Sequence, residues 1–248
     1  MTLRAAQVGD EWQAVDGDRV VGVLEQWQTP DGRRSVSFGS CSPEAYSLLA
    51  AQVPGTVLTM VDTTDKQAVD ALADAGFTTA RFEDRYSIPV HRLDAPVPDG
   101  LSLISAADAD VEALMMLDCA LRQDVPGSDG WQPDLAWFRA QTHDSPYFGP
   151  ATYLIAVDGE QYVGLVRIWN GPRPVPRLGL IGVLPGYRRR GLARALIAAA
   201  FEPLFARGAT EAVAEVDRSN IASRTLMARL GAVVTGSDVQ LIRDGSAS

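Results

Sequence analysis

Cysteine and histidine are scarce in this chain, with two of each among 248 residues, and Lys66 is its one lysine. Cys41 and Cys119 lie far apart, and no CxxC or HxxxH spacing involves them or His91 and His143. No metal site is therefore expected, and no disulfide in a reducing compartment. Long apolar runs are also missing. A membrane-spanning helix needs about 18 consecutive apolar residues, and no such run occurs. The start, MTLRAAQVGDEW, carries no secretory apolar region. The protein is expected to be cytoplasmic, without a membrane partner. Positive charge is in deficit too, with a net charge of -9 and a pI near 4.7. That excludes a general nucleic-acid binder, which must displace counterions from phosphates. The acidity suits a cationic small molecule, or simply solubility.

What the chain does have is a core-forming composition, 46% hydrophobic, enough for one large domain or two small ones. It also repeats itself. Residues 14–27 read AVDGDRVVGVLEQW and residues 156–169 read AVDGEQYVGLVRIW, with seven identical positions at an offset of 142. A second pair of blocks, VDTTDKQAVDALADAG from Val61 and VDRSNIASRTLMARLG from Val216, stands at an offset of 155. The offset grows from 142 to 155, so the second copy holds 13 extra residues between its blocks. LPGYRRRGLARAL, Leu184 to Leu196, is the candidate for that insertion. The first copy has only SVSFGSCSPEAYSLL in the corresponding stretch. Between the copies, Pro96, Pro98 and Gly100 mark HRLDAPVPDG as a connector. The expected organisation is a first domain over 1–92, a linker over 93–99 and a second domain over 100–248.

Within the second half, LSLIS alternates like a strand. Asp108 is the expected N-cap of a helix bearing Leu114, Met115 and Leu121. DLAWFRAQTH reads as a second helix. A hairpin follows, turning at Asp158-Gly159. Leu178 to Leu184 reads as a buried strand, and Leu192 begins an amphipathic helix that Pro203 should kink in its last turn. Ala212 to Val216 is a strand, Asn220 to Leu230 a helix closed by Gly231, and AVVTGSDVQLIR a closing set of strands. Residues 1–90 appear in this reading without the first strand, its two helices or the turn at Leu184.

The chemistry lies in Arg188-Arg189-Arg190-Gly191-Leu192-Ala193, between a buried strand and an amphipathic helix. The first N–H groups of a helix have no intrahelical partners and attract anions. Gly191 lets a ligand approach the backbone, and three arginines add charge for a phosphate. Taken alone, the pattern is equally a solvated basic helix start; the strand–turn–helix context favours an anion site. Gly186 and Gly191 have Walker A spacing, but Leu192-Ala193 stand where Lys-Ser/Thr is needed, and no GxGxxG follows the strand.

GVLPGYRRRGLA together with VDRSNIASRTLMARLGA resembles the GNAT superfamily of acyl-CoA-dependent N-acyltransferases, over residues 98–243. The resemblance implies an α/β (α+β) fold: two GNAT-like units, each a mixed, mainly antiparallel sheet flanked by helices, the N-terminal one incomplete. It implies acetyl-CoA as cosubstrate, with the pyrophosphate held at Arg188, Arg189, Arg190, Gly191, Leu192 and Ala193. The pantetheine arm would lie along the strand at Ile181 and Val183. Asn220 would contact that arm, or cap its own helix, or both. A backbone N–H near Ile181–Val183 would serve the oxyanion.

Two departures from the family matter. Met227 stands where many members carry the Tyr acid, and Leu178 to Val183 contains no carboxylate to act as base. Glu215 is the first candidate for the base, since Glu211, Val213, Glu215 and Asp217 share a strand face; the alternative is a carboxylate paired with an Arg. Asp124 and Asp129 would attract a cationic amine acceptor, or are turn residues. Trp131, Trp137 and Trp169 are candidate pocket walls, and His143 and Tyr147 weaker acid candidates. The expected activity is acetylation of a small, cationic amine by a monomer or homodimer; the alternative is a noncatalytic acyl-CoA-binding or sensing protein. The first copy, with Asp65 at the position of Asn220, is expected to bind no CoA.

Overall fold

The computed structural model describes residues 3–128, 130–171 and 175–245. Two compact units form, residues 1–84 with 236–248, and residues 85–235. These divisions fall at Asp84/Arg85 and Thr235/Gly236, not in the Pro-rich segment 93–99. The reason is local: Thr78–Pro89 and Val233–Arg243 are each one unbroken strand through those points.

In the first unit, β1 (Arg4–Val8), β2 (Glu11–Asp16), β3 (Arg19–Gln28), β4 (Arg34–Phe38) and β5 (Val57–Asp62) alternate with α1 (Pro43–Ala50) and α2 (Lys66–Asp74), followed by β6 (Thr78–Pro89). Strands β1 to β4 run antiparallel in sequence order, and β4 pairs β5 in parallel. The strand expected to be missing here is present. Arg4–Val8 pairs with β2 through a turn at Gly9, whose φ of 63 only glycine adopts readily. RAAQV is short and has no clear alternation, so periodicity gave no signal for it. Leu24, Val36, Leu49, Leu72 and Leu241 centre this unit's core.

The second unit contains β7 (Ser102–Ser105), α3 (Val111–Arg122), α4 (Leu135–Gln141), β8 (Tyr153–Asp158), β9 (Gln161–Trp169), β10 (Arg177–Val183), α5 (Leu192–Ala206), β11 (Glu211–Asp217) and α6 (Ile221–Arg229). The C-terminal strand, β12 (Val233–Arg243), is one strand where several were expected. Strands β7, β8, β9 and β10 are antiparallel neighbours, and β10 pairs β11 in parallel. This is the mixed, helix-flanked α+β arrangement expected. One core, with Ile168, Leu196, Phe201 and Met227, lies on the α5 face; another, with Leu114, Leu121, Phe138 and Leu165, lies on the α3 face. The cap of α3 is Asp110, which accepts from Ala113 N at 2.8 Å, not Asp108. Asp108 ends a 3-10 turn, Ala106–Asp108, that Ser105 caps. Helix α5 continues through Pro203 to Ala206. No helix among the described residues is long and apolar enough to cross a membrane.

The repeat is a repeat of geometry. Register shifts fall at Ala14/Val15 in the β2–β3 hairpin and at Ala156/Val157 in β8–β9, the same offset of 142 as the sequence. Asp62 Oδ1 accepts from Thr64 N, and Asp217 Oδ1 from Ser219 N, each starting the turn into the following helix. Asp65 caps α2 through Ala68 N and Asn220 caps α6 through Ser223 N, both at 3.0 Å. Gly22 and Gly164 each leave room for a helix. A Cβ at Gly22 would meet Ala45 of α1 at 2.8 Å, and one at Gly164 would come within 3.5 Å of Leu196 of α5.

Candidate active site

The site begins with two strands that start together and part. Among the described residues β10 and β11 are in register only at Arg177↔Val213, beside a bond from Val213 N to Pro176 O of 2.8 Å. On its other edge β10 stays paired with β9 as far as Val183↔Gly164, with a register shift between Leu178 and Leu180. The β11-facing edge beyond Arg177 is thus left without that ladder. Ile181 and Val183 lie in this stretch. An open edge of this kind accepts an extended ligand by the hydrogen bonds of an added strand.

Beyond β10 the chain makes a 3-10 turn, Pro185–Tyr187, and enters α5. Arg189 has φ 60, the one positive φ at a non-glycine among the described residues, and Gly191, the N-cap of α5, has φ 85. The N–H groups of Arg189, Arg190 and Gly191 make no hydrogen bond within the described structure. No side chain caps the helix, and the space where a Cβ of Gly191 would sit is open to 4 Å. Exposed amides ahead of a helix, in a turn with left-handed residues, form a concavity suited to an anion. Leu192, 1% exposed, pins this end of α5 into the core, and Ala193 packs beside it.

The three arginines do different things. Arg188 Nε donates to Val183 O at 2.8 Å, and its Nη2 pairs with Asp124. Arg190 lies over the Tyr187 ring at 5.7 Å, while Tyr187 donates to Asp158 at 2.7 Å. Arg189 is exposed. One guanidinium therefore joins a residue assigned to the cofactor with one assigned to the acceptor.

Glu215 lies on the face expected for it, since Ala212, Ala214 and Val216 turn into the α5 core. Its Oε2 is 2.7 Å from Arg177 Nη2, the paired alternative. That oxygen is buried and makes no directed hydrogen bond, so the contact supplies charge without good alignment. Asn220 is engaged as an N-cap. Met227, 1% exposed, is core. His143 Nε2 lies 2.9 Å from Ala106 O and the ring stacks on Phe148, both structural contacts. Trp131 meets Trp137 edge-on at 5.3 Å, and Tyr147 meets Trp169 edge-on at 6.5 Å. Asp129 lies outside the described residues. Among the described residues no cluster of His, Cys, Asp and Glu could hold a metal ion.

A buried polar group under α3 had escaped sequence reasoning. Asp118, 1% exposed, accepts from Arg122 Nε at 2.5 Å and from Arg167 Nη1 at 3.3 Å. Arg122 lies 4.6 Å over Trp131, and Arg167 lies 4.8 Å over Trp169. Burial lowers the Arg122 pKa against the opposing pull of Asp118. Burial also pushes the Tyr153 phenol, next to Arg167, up to about 12. The i,i+4 spacing of Asp118 and Arg122, and an Arg inside the apolar run YVGLVRIW, were the available signals.

The second unit is thus a mixed, helix-flanked α+β sheet in which β10 and β11 pair in parallel and then separate beside the turn into α5. Residues 115–232, just under half of the chain, match the Acetyltransferase (GNAT) family. The chain is 30% identical over 159 residues to a mycothiol acetyltransferase of Streptomyces scabiei, a match covering 54% of this chain and 50% of that protein. It is 29% identical to a mycothiol acetyltransferase of Thermobispora bispora, covering 87% of this chain and 77% of that one. The match thus spans only half of the first relative's length. In fold the chain is similar to a GCN5-related N-acetyltransferase from Sphaerobacter thermophilus, with a TM-score of 0.72, 17% identity and coverage of 95% of this chain and 80% of that one. A tandem GNAT protein from the clavulanic acid biosynthesis pathway has a TM-score of 0.69 and 17% identity, with coverage of 96% and 83%.

Proposed function

We propose that this protein is an acetyl-CoA-dependent N-acetyltransferase acting on a small, cationic amine. The observation that carries the reading is the parting of β10 from β11 after Arg177↔Val213, leading to the free amides of Arg189, Arg190 and Gly191. Acetyl-CoA would supply the acyl thioester. Arg188 to Ala193 would hold its pyrophosphate, and the open edge at Ile181 and Val183 its pantetheine amides. Asp124 and Asp129, with Trp131, would gather the amine. The nitrogen must reach the thioester uncharged, and Glu215 is the first candidate to take its proton. Amide formation releases the thiol, whose free pKa near about 8.5 lets it leave as thiolate at modest cost without the Tyr that Met227 replaces. Because relatives of this chain are mycothiol acetyltransferases, amines related to mycothiol are the first acceptors to try. The first unit is a degenerate GNAT-like copy that binds no coenzyme.

A second reading, a noncatalytic acyl-CoA-binding protein, is favoured by Met227 in the core and by the Arg177–Glu215 pair. Thiol release from acetyl-CoA, measured with a panel of amines, separates the two. Turnover with any amine supports transfer. CoA binding without turnover on every amine supports the second reading.

A further inference from the structure

We propose that Arg188 and Asp124 form a latch that holds the coenzyme and acceptor subsites closed together, so that a ligand that breaks it frees the residue the other ligand needs. The inference rests on the turn's being the coenzyme site. Arg188 closes two features at once. Its Nε covers the carbonyl of Val183, the last acceptor on the open strand edge, and its Nη2 is neutralised by Asp124 on the loop after α3. A pantetheine amide needs that carbonyl, and a phosphate needs that charge. A cationic amine needs the carboxylate that Arg188 holds. Each ligand therefore has to break a bond made by the other's residue.

The side chains are 43% and 60% exposed, so the pair sits in water and exchanges readily. A phosphate competes for Arg188 better than a lone carboxylate does, because it carries more charge and more acceptor oxygens. Once Arg188 moves to the coenzyme, Asp124 is released to the acceptor. The two ligands therefore help each other bind: coenzyme on Arg188 frees Asp124, and amine on Asp124 frees Arg188. By linkage, whatever Asp124 takes from coenzyme affinity, the coenzyme takes from the Asp124–Arg188 bond.

The test is a double-mutant cycle read by calorimetry with CoA alone, on the full chain. Asp124→Asn should tighten CoA binding about two- to five-fold, the range of an exposed ion pair. In an Arg188→Gln background the same substitution should leave CoA affinity unchanged. Both positions are exposed, and a thermal melt of each variant checks the fold. An equal gain in both backgrounds would mean that Asp124 acts only by through-space charge, and would overturn the latch. An unchanged or weakened affinity in Asp124→Asn alone would overturn it too. Absence of CoA binding by the unsubstituted protein would instead overturn the assignment of the turn, and the latch with it.

Discussion

Glu215 Oε2 lies 2.7 Å from Arg177 Nη2, at the point where β10 and β11 hold their common register. The pair stands at the fork of the two strands, with the free edge of β10 beyond it. If Glu215 takes the amine's proton, Glu215→Gln should lower kcat by about 100-fold or more, the usual worth of a general base. CoA affinity should not change. Steady-state kinetics with the amine panel, beside CoA calorimetry, checks this.

Gly191 has φ 85 and nothing within 4 Å of where its Cβ would be. Steric crowding is therefore not what a substitution would suffer; the left-handed backbone and the ligand's approach are. Gly191→Glu adds about 1–2 kcal/mol of backbone strain and a carboxylate beside the expected phosphates. CoA affinity should fall at least about tenfold, measured by calorimetry.

Asp118 is the one carboxylate shared by Arg122 and Arg167 under α3. Its removal leaves buried guanidinium charge without compensation. Asp118→Asn should destabilise the protein by about 3–5 kcal/mol, the cost of breaking a buried pair from one side. Urea unfolding followed by fluorescence measures it.

Tyr153 is raised from 10.0 to about 12, chiefly by burial. Its neutral form is thus favoured in the fold. A raised native pKa gives stability that is complete below the unfolded value near 10 and is lost as pH rises through about 12. Two units correspond to about 3 kcal/mol at most. Ultraviolet titration should show a tyrosine ionising near pH 12 or on alkaline unfolding, and Tyr153→Phe should lack that step.

Asp65 and Asn220 cap α2 and α6 in the same way. Each replaced by Ala should cost about 1 kcal/mol, a typical N-cap loss. Equal losses in chemical denaturation would match the shared geometry. A much larger loss of CoA affinity than of stability in Asn220→Ala would show a second role for that side chain.

Most helices and strands of the second half were readable from periodicity and turn residues, because Asp158-Gly159, Gly191 and Gly231 each mark a backbone reversal. The turn between β10 and α5 was readable for the same reason. Side-chain partnerships were not. Nothing in the spacing of Arg188 and Asp124, or of Arg177 and Glu215, announces that they meet, since long-range packing brings them together. β1 escaped because five residues without alternation carry no period. Asp108 reads as a cap in the sequence because the true cap, Asp110, lies only two positions later, and the choice depends on a 3-10 turn that propensity does not resolve.

The most direct test of the central claim follows backbone amides by heteronuclear NMR while CoA is added. The amides of Arg189, Arg190 and Gly191 should shift first and most, with those of Ile181 and Val183 following. Shifts confined to Ser42–Tyr46 in the first unit, or absent from the Arg189–Gly191 turn at saturating CoA, would contradict it.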